Sequence, residues 1–216
     1  MTVAGLLAGY GGLSPSIVYD SAVSFAVATA TPLGPTIPNT VDTNYIGILM
    51  EYTSATSTNS VPSGWTQALA SVTSGGAGLR ICYKQMAVSD RGGTPGSLAG
   101  GNQRDMLFLF RDINSSIFNL AAINPVTSAA TGNMTSTAPT VSSSQAAISI
   151  HYFYNSTTAT PTVASNPAMT LVRSTANSYH GGQYRIYNPG SAPANQVAGG
   201  TFAGTIQQGL FWLVVN

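Results

Sequence analysis

Apolar runs of about five to ten residues recur along the whole chain, set apart by tracts of Ser, Thr, Gly and Pro, and only thirteen of the 216 residues carry a formal charge. Short apolar runs bounded by turn-forming residues suit strands, because a helix of a globular domain needs ten or more residues at a 3.6 period. The pattern therefore predicts an all-β chain. The twenty-three glycines and twelve prolines fall mostly between the runs, where they supply turn conformations. A chain of 216 residues can bury one good core. We expect an N-terminal arm over 1–16, small and apolar and broken by glycines, and a single domain over 17–216.

Seven Lys/Arg against six Asp/Glu leave a formal charge of +1, with Lys84 the one lysine. Binding a nucleic-acid backbone needs several cations to neutralise phosphates, so nucleic acid is a poor partner. Weak net charge also removes the repulsion that keeps copies apart. A homo-oligomer is expected. No run of eighteen apolar residues occurs and the start has no basic stretch, so neither a membrane span nor a standard secretion signal is expected.

Strands are predicted over 17–29, 45–52, 65–72, 79–88, 106–110, 146–154, 169–174, 183–187 and 203–215. In 45–52, Ile46, Ile48, Met50 and Tyr52 alternate with Tyr45, Gly47, Leu49 and Glu51, so both faces are largely apolar and the strand belongs inside a sheet. The end of 203–215 is almost wholly apolar and reads the same way. In 79–88, Arg80, Cys82, Lys84 and Met86 share a face that the two cations direct toward solvent or a partner. Residues 115–123 allow one turn or a short helix, 124–145 read as a small-residue tract, and 89–104 as a long permissive loop. Nine or ten strands without a helix pattern imply an antiparallel β-sandwich, jelly-roll-like, with long Ser/Thr/Gly-rich loops.

Chemistry-bearing residues are sparse. His151 and His180 are too few for a three-histidine site, and Cys82 alone excludes an intrachain disulfide and a Cys-based metal site. Cys82 reads as a buried core thiol, His151 as a hydrogen-bonded strand residue. Six acids, Asp20, Asp42, Glu51, Asp90, Asp105 and Asp112, are all that could form a carboxylate pair for glycoside hydrolysis. Gly-x-Ser-x-Gly does not occur, and the glycine-rich stretch 92–97 lacks the lysine of a phosphate loop. No catalytic residue, metal site or cofactor is predicted. Arg91 beside Asp90, Arg104 beside Asp105 and Arg111 beside Asp112 read as local charge balance at strand ends.

One set of motifs, each weak alone, carries a family resemblance. The strand 46–51, the turn Pro62-Ser63-Gly64-Trp65, the strands 79–84 and 107–112, the lead-in Thr137-Ala138-Pro139-Thr140-Val141 to 146–153, and the terminal strand 209–215 together resemble a β-sandwich module recurrent in tailed-bacteriophage structural proteins. The resemblance covers about residues 45–216. It implies a virion component present in many copies, a capsid decoration or other accessory surface subunit, whose partners are other virion proteins, capsid or tail subunits. Leu6, Leu7, Tyr10, Arg91 and Arg104 are the expected subunit contacts, chosen by their position on the arm and the long loop. The alternative is a carbohydrate- or receptor-binding module of a phage tail or fibre, with Tyr179, Tyr184 and Tyr187 as the glycan platform, since tyrosines offer rigid amphipathic contact area.

Overall fold

The computed structural model describes residues 16–27, 34–53, 61–72, 78–95, 103–113, 118–124, 131–155, 157, 159–175, 180–203 and 206–215. Among them lie thirteen strands: β1 Val18–Val27, β2 Ile46–Thr53, β3 Thr66–Val72, β4 Gly78–Gln85, β5 Gln103–Arg111, β6 Phe118–Asn124, β7 Thr131–Ser136, β8 Ala146–Asn155, β9 Thr162–Asn166, β10 Thr170–Arg173, β11 His180–Tyr187, β12 Gln196–Thr201 and β13 Ile206–Val215. One 3-10 turn, Val88–Asp90, follows β4. The protein is all-β, and its strands form three antiparallel sheets.

A first five-stranded sheet has the order β1-β5-β2-β4-β3, a second the order β10-β11-β8-β13-β6, and a three-stranded cover sheet the order β7-β12-β9. Each five-stranded sheet draws its strands from one half of the chain. β2 and β8 are the middle strands, and β13 lies between β8 and β6, so the apolar stretches expected inside a sheet are inside one.

The period-2 alternation fixes which face each strand buries. Ile46, Ile48, Met50 and Tyr52 of β2 and Met106, Phe108 and Phe110 of β5 form one cluster with Ile148, Ile150 and Tyr152 of β8 and Phe211 and Leu213 of β13. All twelve are at most 5 % exposed. At roughly 1.5–3 kcal/mol for each large side chain taken fully out of water, this layer dominates the stability of the fold. Tyr52 stacks on Tyr154 at 3.7 Å between centroids, and Tyr19 on Tyr184 at 4.5 Å, joining the sheets at opposite ends of the layer.

The opposite face of β2 is apolar as well. Leu49 packs there with Trp65, Cys82, Met86, Leu107 and Leu109, under Ile37 and Val41. Trp65 reaches this face because Pro62-Ser63-Gly64-Trp65 is a tight turn, closed by Trp65 N–H on the Pro62 carbonyl at 3.0 Å with Gly64 at φ +78°. That left-handed third position is one glycine takes without strain.

Four strands depart from the sequence expectation. Residues 118–124 pair with β13 as β6 and make no helix, because a neighbouring edge outweighs the helical tendency of Leu and Ala. β7 and β12 are rich in Gly, Thr and Asn and direct only Met134 and Ala198 into a core, and β9 falls in a tract that reads as a turn. Strands with so few apolar positions carry little periodic signal. A further correction concerns the basic face of β4. Arg80 does not reach solvent; it is 2 % exposed and paired with Glu51 directly across the ladder.

Candidate functional site

The outward face of the cover sheet follows from its register. Asn133, Gly199 and Ala164 form one row across β7, β12 and β9, and Thr135, Val197 and Asn166 form the next. Asn133, Thr135, Thr162, Ala164, Asn166 and Thr201 are exposed, while Met134 and Ala198 point the other way and are buried. Gly199 sits where a Cβ would lie 2.2 Å from the Gly132 carbonyl oxygen, so this position excludes every larger residue. Beside it lies a shallow depression of about 470 Å³ lined by Gly132, Asn133, Thr162, Ala164, Gly200 and Thr201. Hydroxyls, amides and small apolar groups line it; no charged side chain does.

A second concavity, about 380 Å³, lies at the end of the second sheet between residues 139–143 and 190–193. Its walls are also neutral: Pro139, Thr140 and Val141 face Ala192 and Pro193. One wall is set by the turn into β8, where Gln145 N–H meets the Ser142 carbonyl at 3.1 Å and the Gln145 side chain accepts from Ser142 N–H at 2.8 Å. The other is set by Asn188-Pro189-Gly190-Ser191, closed by Ser191 N–H on the Asn188 carbonyl at 2.9 Å with Gly190 at φ +83°.

Between the cover sheet and the second sheet lies a buried polar layer. His151 is fully buried and its Nε2 is 3.0 Å from Gln208 Oε1, while Gln208 Nε2 donates to the Gly132 carbonyl at 3.4 Å. Because the Gln208 amide directs its N–H to Gly132, its oxygen accepts, and His151 is the neutral tautomer with its proton on Nε2. Burial pushes the His151 pKa down to about 4, against a smaller upward effect of the Gln208 hydrogen bond. His180, the first residue of β11 and not a loop residue, is driven down to about 3, again chiefly by burial. Ser149 Oγ and Trp212 Nε1, directly opposed on β8 and β13, make no hydrogen bond among the described residues.

The charged residues are tied into the fold. Arg80 grips Glu51 side-on, Nε to Oε2 at 2.5 Å and Nη2 to Oε1 at 2.9 Å, and both are buried. Asp90 bonds Lys84 at 2.6 Å rather than its neighbour Arg91. Arg111 meets Asp112 at 3.1 Å and Asp20 at 3.7 Å on the exposed side of β5. Arg104 and Asp105 point to opposite faces of β5, as neighbours on a strand must. Among the described residues, no group of three His, Cys, Asp or Glu side chains converges to hold a metal ion. Burial raises the Cys82 thiol to about 12.

Of the predicted contact and platform residues, Arg91, Arg104, Tyr184 and Tyr187 fall among the described residues. Leu6, Leu7 and Tyr10 lie outside the described residues, as does Tyr179. Arg91 is exposed, with its Nε donating to the Val41 carbonyl at 2.7 Å. Arg104 is half-buried and donates to the Gln103 carbonyl at 2.6 Å, far along the first sheet from Arg91. Tyr184 turns inward onto Tyr19, whereas Tyr187 points to the opposite face of β11 and packs against Trp212, so the two rings share no platform. Sequence reasoning misses the two concavities because Ser, Thr, Asn and Gly mark loops and exposed sheet faces alike. The usable signal is the alternation of Asn133 and Thr135 with Met134 and Ser136.

No family model matches this chain, and no curated protein or solved structure matches it.

Proposed function

We propose that this chain is a non-enzymatic virion structural protein of a tailed bacteriophage, a capsid decoration or other accessory surface subunit that binds a repeating protein lattice. In this reading the two five-stranded sheets form a sandwich, and that rigid body presents the cover sheet to its partner. The observation that carries it is the outward face of β7, β12 and β9, neutral and hydroxyl-rich. Such a face packs against another protein without the desolvation cost that unpaired charges impose. The engagement of Glu51, Arg80, Lys84 and Asp90 in ion pairs within the fold supports a structural role.

The test is co-sedimentation with DNA-free capsid shells and with tail tubes of the phage that encodes the chain. Saturable binding at a fixed copy number per shell is expected, lost when Asn133→Lys and Thr162→Lys place unpaired cations on the exposed face. Binding to neither particle, or binding indifferent to both substitutions, refutes the proposal. Light scattering on the free protein establishes whether copies associate before they meet the lattice.

A further inference from the structure

The two five-stranded sheets are wound alike. With the cover strands set aside, each has its first strand beside its fifth, then its second, fourth and third. The likeness extends to residues. The turn into β2 closes with Tyr45 N–H on the Asp42 carbonyl and the turn into β8 with Gln145 N–H on the Ser142 carbonyl, both at 3.1 Å, each just after a valine. From Val41 and Val141 onward the positions correspond: Ile48 with Ile148, Met50 with Ile150, Tyr52 with Tyr152, all in one shared core. The registers carry the match to β5 and β13, where Gln103 opposite Thr53 corresponds to Gln208 opposite Phe153. β1 and β6 each bulge against the last strand of their sheet.

The two sheets meet at several points. β2 meets β8 through Tyr52 and Tyr154, the first strand of one sheet meets the far side of the other through Tyr19 and Tyr184, and β3 meets β6.

The halves differ at one end, and the difference is informative. In the first half Met86 N–H donates to the Tyr45 carbonyl at 2.8 Å, so the chain runs on past β4 and into the turn Val88–Asp90. That turn is pinned by Lys84 Nζ on Asp90 at 2.6 Å, by Ala87 N–H on Asp90 Oδ2 at 2.8 Å, and by Arg91 Nε on the Val41 carbonyl at 2.7 Å. Ile37 then exchanges two main-chain hydrogen bonds of 2.9 Å with Gly92 and Gly93. In the second half the place of Met86 is taken by Pro189, which has no N–H, and the chain reverses at once through Gly190. Ala138 N–H bonds the Asn195 side chain instead of a main-chain partner. Where the first half holds its own turn, the second half has the groove of about 380 Å³.

We infer that the chain is a tandem repeat of one five-stranded unit, and that the groove between 139–143 and 190–193 binds an arginine-bearing peptide turn of a partner protein, as the first half binds its own residues 88–93. The chemistry is complementary. The Val141 carbonyl occupies the position of the Val41 carbonyl that accepts from Arg91, the hydroxyls of Thr140, Ser142 and Ser143 add acceptors, and Pro139 and Pro193 offer apolar surface to an arginine stem. The inference rests on the reading that this protein docks on another protein, and names the surface that does so at this end.

The test uses the isotope-labelled full chain and a blocked peptide of its own residues 86–93 as probe, followed by amide NMR. Expected are saturating shifts at 140–143 and 190–192 with a dissociation constant of about 1 mM or tighter. The Arg91→Gln peptide binds at least about tenfold more weakly, the loss of one charge-assisted contact. Ser191→Trp, at an exposed wall position, abolishes the shifts while the rest of the spectrum is kept; Thr140→Trp is the second variant should the first misfold. No groove shifts at about 5 mM peptide, equal binding of the Arg91→Gln peptide, or groove shifts with maltose instead of peptide would overturn the inference. Particle co-sedimentation that survives Ser191→Trp, combined with no peptide binding, sinks this inference and leaves the lattice-binding proposal standing.

Discussion

Breaking the Glu51–Arg80 pair should cost far more than removing it. Both side chains are at most 2 % exposed, the guanidinium holds both carboxylate oxygens, and Asp105 stands directly opposite Glu51 on β5. In Arg80→Met two carboxylates remain facing each other in a buried layer with their cation gone. Stranding one buried charge costs about 3–5 kcal/mol, and the second acid places this variant at the upper end. Glu51→Leu leaves Arg80 with Asp105 still beside it, so its loss falls at the lower end. The double variant, carried with Asp105→Asn so that no acid is left buried without its cation, and with apolar side chains of similar volume at 51 and 80, should lie within about 1 kcal/mol of the parent. Urea titration followed by tryptophan fluorescence reads all four species. With an m value of about 2.5 kcal/mol/M the Arg80→Met midpoint drops by about 1.5–2 M and the double variant moves little, giving a coupling of several kcal/mol. Single losses under about 1 kcal/mol, or a double variant as damaged as Arg80→Met, would refute the view that mutual neutralisation is what this pair contributes.

Three further outcomes concern buried groups elsewhere in the fold. His151 and His180 are held neutral at about 4 and about 3, below the unfolded value near 6.5, so the unfolded chain binds more protons between these limits. Stability should be flat above about pH 6.5 and fall as pH drops toward 4, by about 3 kcal/mol for His151 alone, and His151→Gln should flatten that part of the profile in acid-titrated urea melts. Cys82, fully buried with its thiol raised to about 12, should react with a thiol reagent only at the rate of unfolding; labelling of the native protein within minutes would contradict its placement. Gly182→Ala should destabilise by about 1–3 kcal/mol because its Cβ would meet the Phe108 ring at 2.9 Å and the His151 carbonyl at 3.0 Å, whereas Gly47→Ala presses first on the flexible Met86 side chain and should cost less in thermal melts.

The parts of the fold legible in the sequence are those where alternation and apolar density coincide. β2, β5, β8 and β13 announce themselves because every second residue is large and apolar and both faces are covered. The fate of Arg80 is not legible, since an Arg and a Lys four residues apart on one face of β4 look like a wetted surface; only the ladder that sets Glu51 across from Arg80 buries one and leaves the other, Lys84, half-exposed. The cover sheet escapes because its strands contribute a single apolar residue each to some clusters, Met134 and Ala198 among them, and its outward residues are those of any loop. The repeat escapes for another reason. What the halves share is pairing order and inward position, met by Ile48 and Ile148 but also by Met106 and Phe211, which no residue-by-residue likeness links. Its sequence trace is a handful of identities, Val41 with Val141, Ile48 with Ile148 and Tyr52 with Tyr152, too few to stand out among so many short apolar runs.

Two interchangeable halves leave the chain a choice during folding. Each sheet offers the surface its counterpart needs, so the front half of one copy can close on the rear half of another, and the short junction between β5 and β6 decides only how readily this occurs. Dilute refolding should return monomers, and crowded refolding should return exchanged pairs with every native contact intact. The order in which its halves leave the ribosome then becomes part of what keeps a copy single.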